Sequence, residues 1–176
     1  MTMPPAVHGL HHFAWRCRDA EETRAFYEDL IGLPLVHVIR LDTVPSTGEH
    51  CPYVHLFFEM KDGSNIAFFD LGDGQCAQAS ANTPAWVNHI ALRVASLADL
   101  EAMKARLQAG GVDVIGPVDH HFVQSIYFFD PNGFRIEFTT PTGTAQQHAG
   151  YRADARGHLD AWTAEKTQRD GTKAVD

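Results

Sequence analysis

Residues 125–138 read SIYFFDPNGFRIEF, a stretch that predicts a strand, a tight Asn-Gly turn and a second strand. Successive side chains of a strand point to opposite faces, so Ile136 and Phe138 share one face and Glu137 lies on the other. An isolated carboxylate buried in a strand would be costly, or would take up a proton. The position of Glu137 therefore indicates that a cationic group lies beside it.

The same pattern occurs earlier in the chain, so the sequence contains an internal repeat. The stretch FFEMKDGSNIAFFD at 57–70 parallels YFFDPNGFRIEFTT at 127–140, and each contains a strand, a turn with glycine and another strand. Both halves also begin with the pattern H-x-A-x-R, once from His12 and once from His89. The chain is therefore predicted to consist of two related modules.

Each module is predicted to have the order β-α-β-β-β. Apolar residues at helical spacing follow the first strand of each half, at roughly 20–31 and 97–109, and glycines follow both helices. Short third strands are predicted around 35–40 and 112–115. We expect an α+β fold in which two paired βαβββ modules form an open, cup-shaped mixed sheet with helices outside.

The modules are predicted to form one domain over residues 1–143. Module one takes residues 8–72 and module two takes residues 85–141. Apolar periodicity fades after the second module, so residues 144–176 are expected to be a polar tail. The tail is compatible with one helix and also with a frayed segment.

Composition excludes several classes of partner. The 176 residues are 44% hydrophobic, enough for a core, and carry a formal net charge of −8. That charge argues against nucleic acid or an anionic membrane surface, and no apolar run approaches the 18 residues of a membrane span. Three scattered cysteines without a CxxC pair fit a reducing compartment, so a cytoplasmic location is expected.

Strand alternation places three potential metal ligands on the cup face. His12 and His89 occupy equivalent places in the two modules, and Glu137 lies on the last strand. Two imidazoles and one carboxylate form the arrangement that non-haem Fe(II) enzymes use. An ion pair is the alternative role for Glu137. Its possible partners on the same face are Arg16, Arg93 and Arg135.

H-x-A-x-R at the head of each half and DPNGFRIEF at 130–138 resemble the vicinal oxygen chelate superfamily. This superfamily includes glyoxalase I, type I extradiol dioxygenases, methylmalonyl-CoA epimerase and the bleomycin and fosfomycin resistance proteins. The resemblance covers residues 8–140 and implies a metal bound by His12, His89 and Glu137. His12 is preferred to its neighbour His11 because only His12 aligns with His89.

One departure from the family pattern bears on the chemistry. Glyoxalase-I-like members take a fourth ligand from the first half, at the place where this chain has Ala67. With three protein ligands, the site resembles that of a one-domain extradiol dioxygenase, in which Fe(II) binds a catecholate and activates dioxygen. Mn(II), Zn(II) and Ni(II) are also compatible with these ligands. The resemblance thus implies an iron-dependent oxidoreductase that acts on an aromatic diol.

Three residues are the candidates for catalysis. Tyr127 lies ten residues before Glu137, where the dioxygenases place a tyrosine that hydrogen-bonds the substrate or oxygen. His121, or its neighbour His120, precedes that strand and could act as acid or base. His55 is the candidate for the proton-shuttling histidine of the dioxygenases, because the family's own position falls near Ser64.

Two other functions remain open. If His55 does not take the place of that histidine, a glyoxalase-type lyase, isomerase or epimerase fits better, with a carboxylate or a histidine as base. Glu59 is a possible base only if it points inward. A non-catalytic drug-binding resistance protein would use the cup without a metal. The cup is expected to be apolar, with Phe57, Phe69 and Phe129 as lining residues. Paired modules of this superfamily often dimerise, so a homodimer is a further possibility.

Overall fold

The structure is a computed structural model that describes residues 4–173, with side chains as far as Arg169. It confirms the predicted α+β fold with two βαβββ halves. Each half forms its own open, four-stranded mixed sheet. Within residues 4–173 no helix is both long enough and apolar enough to cross a membrane.

The first half forms a sheet of order β1-β4-β3-β2. β1 and β4 run parallel, and the other neighbours are antiparallel. The helix begins at the Asp19 cap, whose carboxylate accepts the Glu22 amide, and its winding widens into a π-helical segment at Ala25–Ile31. The elements are β1 (His12–Cys17), α1 (Ala20–Arg24), β2 (Leu35–Thr43), β3 (His50–Glu59) and β4 (Asn65–Asp70).

The second half repeats this order as β5-β8-β7-β6. The predicted helix at 97–109 is confirmed, whereas the short strand lies slightly later than the predicted 112–115. Val112 and Val114 instead pack against the core before the strand begins. The elements are β5 (Ile90–Arg93), α2 (Leu97–Ala109), β6 (Ile115–Asp119), β7 (Val123–Phe129) and β8 (Arg135–Pro141).

The polar tail is occupied by α3 (Ala145–Lys173). Its contact with the modules is near its start, where the Tyr151 ring lies against Phe122 with centroids 5.8 Å apart. The side chains from Ala145 to Arg169 are exposed. The ends of the predicted domain and tail, residues 1–3 and 174–176, lie outside the described residues.

One hydrophobic core joins the two modules. The rings of Phe13 and Trp15 on β1 stack on the ring of Phe134, with centroids 5.4 Å and 4.8 Å apart. The hydroxyl of Tyr27, on the first helix, donates to the Asp130 carboxylate at 3.0 Å, inside the second hairpin. The modules therefore meet through their apolar faces.

The helices also hold the modules together. The guanidinium of Arg106 on α2 donates to the backbone carbonyls of Asp29 and Leu30, at the end of the first helix. Because side chains alternate along a strand, the faces opposite this junction are those that carry His12 on β1 and Glu137 on β8. These two polar faces are the places where the predicted site residues lie.

Candidate metal centre

His89 and Glu137 meet on the polar face of the second sheet. β5 pairs with β8 in parallel, which places Ala91 opposite Glu137 and brings His89, at the head of the strand, beside the carboxylate. His89 Nε2 lies 3.0 Å from Glu137 Oε2. Glu137 is buried, whereas the His89 side chain remains 31% exposed. The carboxylate of Glu137 is therefore enclosed by the protein, whereas the ring of His89 is accessible to a ligand.

The tautomer of His89 shows that the His89–Glu137 pair needs a positive charge between its two members. Its Nδ1 lies 3.1 Å from the Val87 carbonyl, which can only accept, so Nδ1 carries a proton. If the ring is neutral, Nδ1 carries its one proton and Nε2 has a lone pair that points at the carboxylate of Glu137. Two facing electron pairs need positive charge between them, either a second proton on the ring or a metal ion.

His89 and Glu137 are placed as two neighbouring ligands of a metal ion would be. A ligating histidine usually donates its other N–H to a carbonyl or carboxylate, as His89 does. Two ligand atoms at neighbouring positions, each about 2.1 Å from one ion, lie about 3 Å apart, which is the observed separation. Ser125 Oγ donates to Glu137 Oε1 at 2.5 Å and orients the carboxylate.

Tyr127 lies beside this pair. It is the cross-strand neighbour of Glu137 in the β7–β8 ladder. Burial raises the pKa of the Tyr127 phenol, and the charge of Glu137 raises that pKa further, so the group stays protonated at neutral pH. The Tyr127 hydroxyl lies 2.8 Å from His120 Nε2. The site thus contains a phenol with an adjoining imidazole, which can together move a proton.

His120, rather than His121, is the histidine that the structure brings to Tyr127. His121 is exposed and adopts a φ of 70°, and its amide donates to the Asp119 carboxylate at 2.7 Å. The sequence named both histidines because they are adjacent. Which of the two side chains reaches Tyr127 depends on the conformation of the turn before β7. The residue pattern does not predict that conformation.

His12 lies on the polar face of the first sheet. Its ring packs edge-on against Phe57 and His55, with centroids 5.4 Å and 5.8 Å away. Its Nδ1 lies 2.8 Å from Nδ1 of His11, so one of these two rings donates to the other. His37 on β2 stands opposite Phe57, which brings a further imidazole to this face. The first sheet therefore presents a cluster of histidines.

His55 is the buried member of this histidine cluster. Its ring stacks on Phe69 with centroids 3.7 Å apart. Burial lowers its pKa to about 4, with smaller contributions from the charges of His12 and His37, so the ring is neutral at neutral pH. Its Nε2 has no hydrogen-bond partner among the described residues. A buried nitrogen left unpaired in this way indicates a missing ligand or partner.

Other predicted positions have structural partners. Ser64, at the place where the dioxygenases carry a histidine, is buried and bonds to Asp62. Ala67 is fully buried. Two of the three possible ion-pair partners of Glu137 have other contacts: Arg16 pairs with Asp73, and Arg135 lies over the Tyr127 ring.

Two of the three predicted ligands therefore meet within one chain. His89 and Glu137 are in contact on the second sheet, and His12 stands on the first sheet among other histidines. In the part of the chain that the structure describes, no three histidine, cysteine, aspartate or glutamate side chains converge closely enough to hold a metal ion. The role of Ser125 was not foreseen, although its place on the face of Tyr127 could have suggested it.

The profile of the Glyoxalase/Bleomycin resistance protein/Dioxygenase superfamily matches residues 9–138. The chain belongs to this superfamily. Two curated relatives are the biphenyl-2,3-diol 1,2-dioxygenases of Paraburkholderia xenovorans and Metapseudomonas furukawaii, each 29% identical over 137 residues and 74% of this chain. The chain spans only 40% and 39% of the length of these relatives.

Two solved structures share the fold. Lactoylglutathione lyase from Agrobacterium tumefaciens is 22% identical with a TM-score of 0.53, and covers 78% of this chain and 96% of its own. The fosfomycin resistance protein FosX from Listeria monocytogenes, complexed with Mn(II) and sulfate, is 21% identical with a TM-score of 0.57, and covers 82% and 99%. At such identities the likeness concerns the fold alone.

Proposed function

We propose that this chain is an Fe(II)-dependent, extradiol-type dioxygenase that cleaves the ring of a catechol-like diol. The observation that carries the proposal is the contact between His89 and Glu137 with the Tyr127–His120 pair beside it. The relatives named biphenyl-2,3-diol 1,2-dioxygenases support the choice of substrate class, although they are much longer proteins. The proposal combines a metal-binding pair, a proton-transfer pair and a related activity.

The proposed ligands of the metal are His12, His89 and Glu137. Bound Fe(II) would supply a binding place for the two diol oxygens and the electron transfer that dioxygen needs. Mn(II), Zn(II) and Ni(II) accept the same ligand types, so availability contributes to the choice of metal. Three free cysteines, Cys17, Cys51 and Cys76, are compatible with the reducing cytoplasm that we propose as its location.

The residues around the metal ligands have separate tasks in this proposal. Ser125 holds the carboxylate of Glu137 in place through its hydroxyl. The protonated Tyr127 donates a hydrogen bond to the substrate, and His120 exchanges a proton with it at 2.8 Å. The buried Nε2 of His55, which is unpaired among the described residues, accepts a hydrogen bond from a diol hydroxyl. Both atoms of dioxygen enter the product, so the reaction needs no external reductant.

The test is anaerobic purification followed by elemental analysis and oxygen uptake with a panel of catechols. We expect bound iron and one dioxygen consumed for each diol cleaved, with a ring-opened product. Glu137→Gln should lose both the iron and the oxygen uptake, whereas Ser64→Ala, a matched change at a buried serine of the first half, should keep both. Iron without oxygen uptake on any catechol would contradict the dioxygenase.

A metal-dependent lyase, isomerase or epimerase is the second candidate. It is favoured by one observation: Ser64, bonded to Asp62, occupies the place of the dioxygenases' histidine. Such an enzyme would bind the same metal but would consume no oxygen. A drug-binding resistance protein would bind its ligand with no metal at all, so elemental analysis separates it from both enzymes.

A further inference from the structure

We propose that Arg135 binds a carboxylate of the substrate, so that the preferred diol is a catechol with an acidic group on the far side of its ring. The inference rests on the dioxygenase proposed above, and it names the substrate class of the same site. Its basis is an arginine beside Tyr127 that has no anionic partner in the part of the chain that the structure describes.

The first observation is the position of Arg135 on the polar face of the second sheet. It lies two residues before Glu137 on β8. Side chains two residues apart on a strand share a face, and their Cα atoms are separated by about 6.6 Å. This separation is comparable to the length of one aromatic ring. A catechol with its diol beside Glu137 therefore extends to Arg135 with the opposite side of its ring.

The second observation is the direction of the guanidinium. It stacks over the ring of Tyr127, with Cζ 4.6 Å from the ring centroid. Tyr127 is the cross-strand neighbour of Glu137, so the contact holds the cation close to the candidate metal centre. A planar guanidinium that stacks on a ring still presents its N–H groups at its edge. Arg135 is therefore held in place by the stack and keeps its donors for a ligand.

The third observation is that these donors lack acceptors. The Nε of Arg135 is buried without a hydrogen-bond partner, and no carboxylate among residues 4–169 pairs with the side chain. Glu137 shares the same face, but its two oxygens lie against Ser125 and His89. A buried donor without an acceptor is costly, so a ligand that supplies an anionic acceptor removes that cost when it binds.

A carboxylate on an aromatic ring fits these surroundings. Its two oxygens match the fork of a guanidinium, and such charge-assisted hydrogen bonds are stronger than neutral ones. Phe129 is the cross-strand neighbour of Arg135 and is 46% exposed, which adds an aromatic surface beside the cation. The ring of the substrate can pack against this surface while its carboxylate meets the arginine.

A second arginine of the same sheet has a different environment and serves as a control. Arg93 on β5 pairs with Thr139, two residues after Glu137, and therefore shares the same face. Arg93 is exposed, so water and salt screen its charge, whereas Arg135 is partly buried. Partial burial and the stack on Tyr127 distinguish Arg135 as the anion-binding cation of this face.

The experiment compares 3,4-dihydroxybenzoate with 3,4-dihydroxybenzamide, a neutral ligand of almost the same shape. Oxygen uptake gives kcat/KM for both on the Fe(II)-loaded wild type and on Arg135→Gln, Arg135→Lys and Arg93→Gln. Anaerobic calorimetry on the Mn(II)-loaded proteins gives both Kd values independently of turnover. The readout is the ratio between the two ligands, because effects common to both ligands cancel in it. Circular dichroism checks folding, and Arg135→Met replaces Arg135→Gln if that variant is unfolded.

We expect the wild type to prefer the carboxylate, and Arg135→Gln to reduce this preference about 10- to 100-fold, through KM and Kd rather than kcat. Arg135→Lys should retain part of the preference, because it keeps the charge and loses the fork. Arg93→Gln should change the ratio less than Arg135→Gln does. The same ratio in the wild type and Arg135→Gln, or equal reductions for the two arginines, would overturn the inference.

The two measurements also separate this inference from the proposed function. Oxygen uptake with a ratio that is unchanged in Arg135→Gln would overturn the carboxylate site and leave the dioxygenase intact. No uptake on any catechol, with a Kd ratio that still depends on Arg135, would overturn the dioxygenase and leave the carboxylate site intact. A ratio that depends on Arg135 in both measurements would support both.

Discussion

At the scale of single residues, the polar face of the second sheet is organised around one buried carboxylate. Glu137 is tolerated in a strand because Ser125 donates to one of its oxygens and His89 lies at the other. Tyr127 adds a protonated phenol within the same ladder. Each of these contacts can be removed by one substitution without changing the apolar core below.

The first prediction concerns Tyr127 and His120. Tyr127→Phe removes the hydroxyl that lies 2.8 Å from His120 Nε2, and we expect kcat for oxygen uptake to fall by roughly 10²-fold or more while metal content stays unchanged. His120→Ala should give a similar loss. His121→Ala should lose less than His120→Ala, because only His120 reaches the phenol in the described structure. A larger loss for His121 would contradict this arrangement.

The second prediction concerns Ser125. Ser125→Ala removes the hydroxyl that orients Glu137, and we expect the affinity for Mn(II) to fall about 10- to 100-fold, measured by competition with a chelator. Ser64→Ala is the matched control, because it truncates another buried serine that bonds to Asp62 in the first half. Equal affinities in the two variants would show that Ser125 does not support the metal ligand.

At the scale of elements, the hairpin between β7 and β8 is held by a buried aspartate. Asp130 accepts the amides of Asn132 and Phe134 at 2.9 Å and 2.8 Å, and the hydroxyl of Tyr27 at 3.0 Å. Gly133 has a φ of 75°, a conformation that suits glycine in this turn. The same turn therefore shapes the hairpin and ties it to the helix of the other module.

The third prediction is that Asp130→Ala destabilises the fold by about 3 kcal/mol or more, because it leaves the Tyr27 hydroxyl and two amides buried without an acceptor. Tyr27→Phe should cost less, about 1–2 kcal/mol, since only one hydrogen bond is lost. Urea denaturation measures both free energies of unfolding. A loss for Asp130→Ala no larger than that for Tyr27→Phe would contradict the proposed role of the turn.

The fourth prediction concerns the pH dependence of the same group. Burial raises the pKa of Asp130 above its ordinary value of 3.8, although its hydrogen bonds act in the opposite direction. The folded state then binds more protons than the unfolded state between the two pKa values, so this contribution to stability falls as pH rises through that window. The stability difference between the wild type and Asp130→Asn should therefore be largest in acid and decrease as pH rises.

At the scale of the whole molecule, the packing of the modules decides where the ligands lie. The shared core joins the apolar faces, so the polar faces of the two sheets remain outside. A metal ion bound by His89 and Glu137 would stabilise the folded protein by mass action. Removal of the metal therefore has a measurable effect on stability as well as on activity.

The fifth prediction is that free Mn(II) at roughly 100 times its Kd stabilises the protein by about 2.7 kcal/mol. For a chain of this size, that corresponds to a rise in Tm of roughly 5–10 °C, and EDTA should reverse it. Glu137→Gln is the control, because it keeps the shape of the side chain but weakens the ligand. The same rise in this variant would show that Mn(II) stabilises the protein from another place.

The two modules and the polar face of Glu137 could be predicted from the sequence, because they follow from sequence patterns between near neighbours. The repeat of H-x-A-x-R and of the glycine turns predicted two βαβββ modules, and the structure confirms them. Strand alternation assigned Glu137 to the polar face, since the period of two residues needs no knowledge of distant parts of the chain. These local patterns did not predict the π-helical winding at Ala25–Ile31 or the later start of β6.

By itself, the sequence determined the two modules and the polar side of each sheet, because alternation and turn chemistry act between near neighbours. Only the tertiary structure decided how the modules pack and whether their polar sides face each other. That choice depends on contacts between residues far apart in the chain, such as Trp15 with Phe134 and Tyr27 with Asp130. A strand pattern tells which side of its own sheet a ligand occupies, and it contains no information about where the other sheet lies.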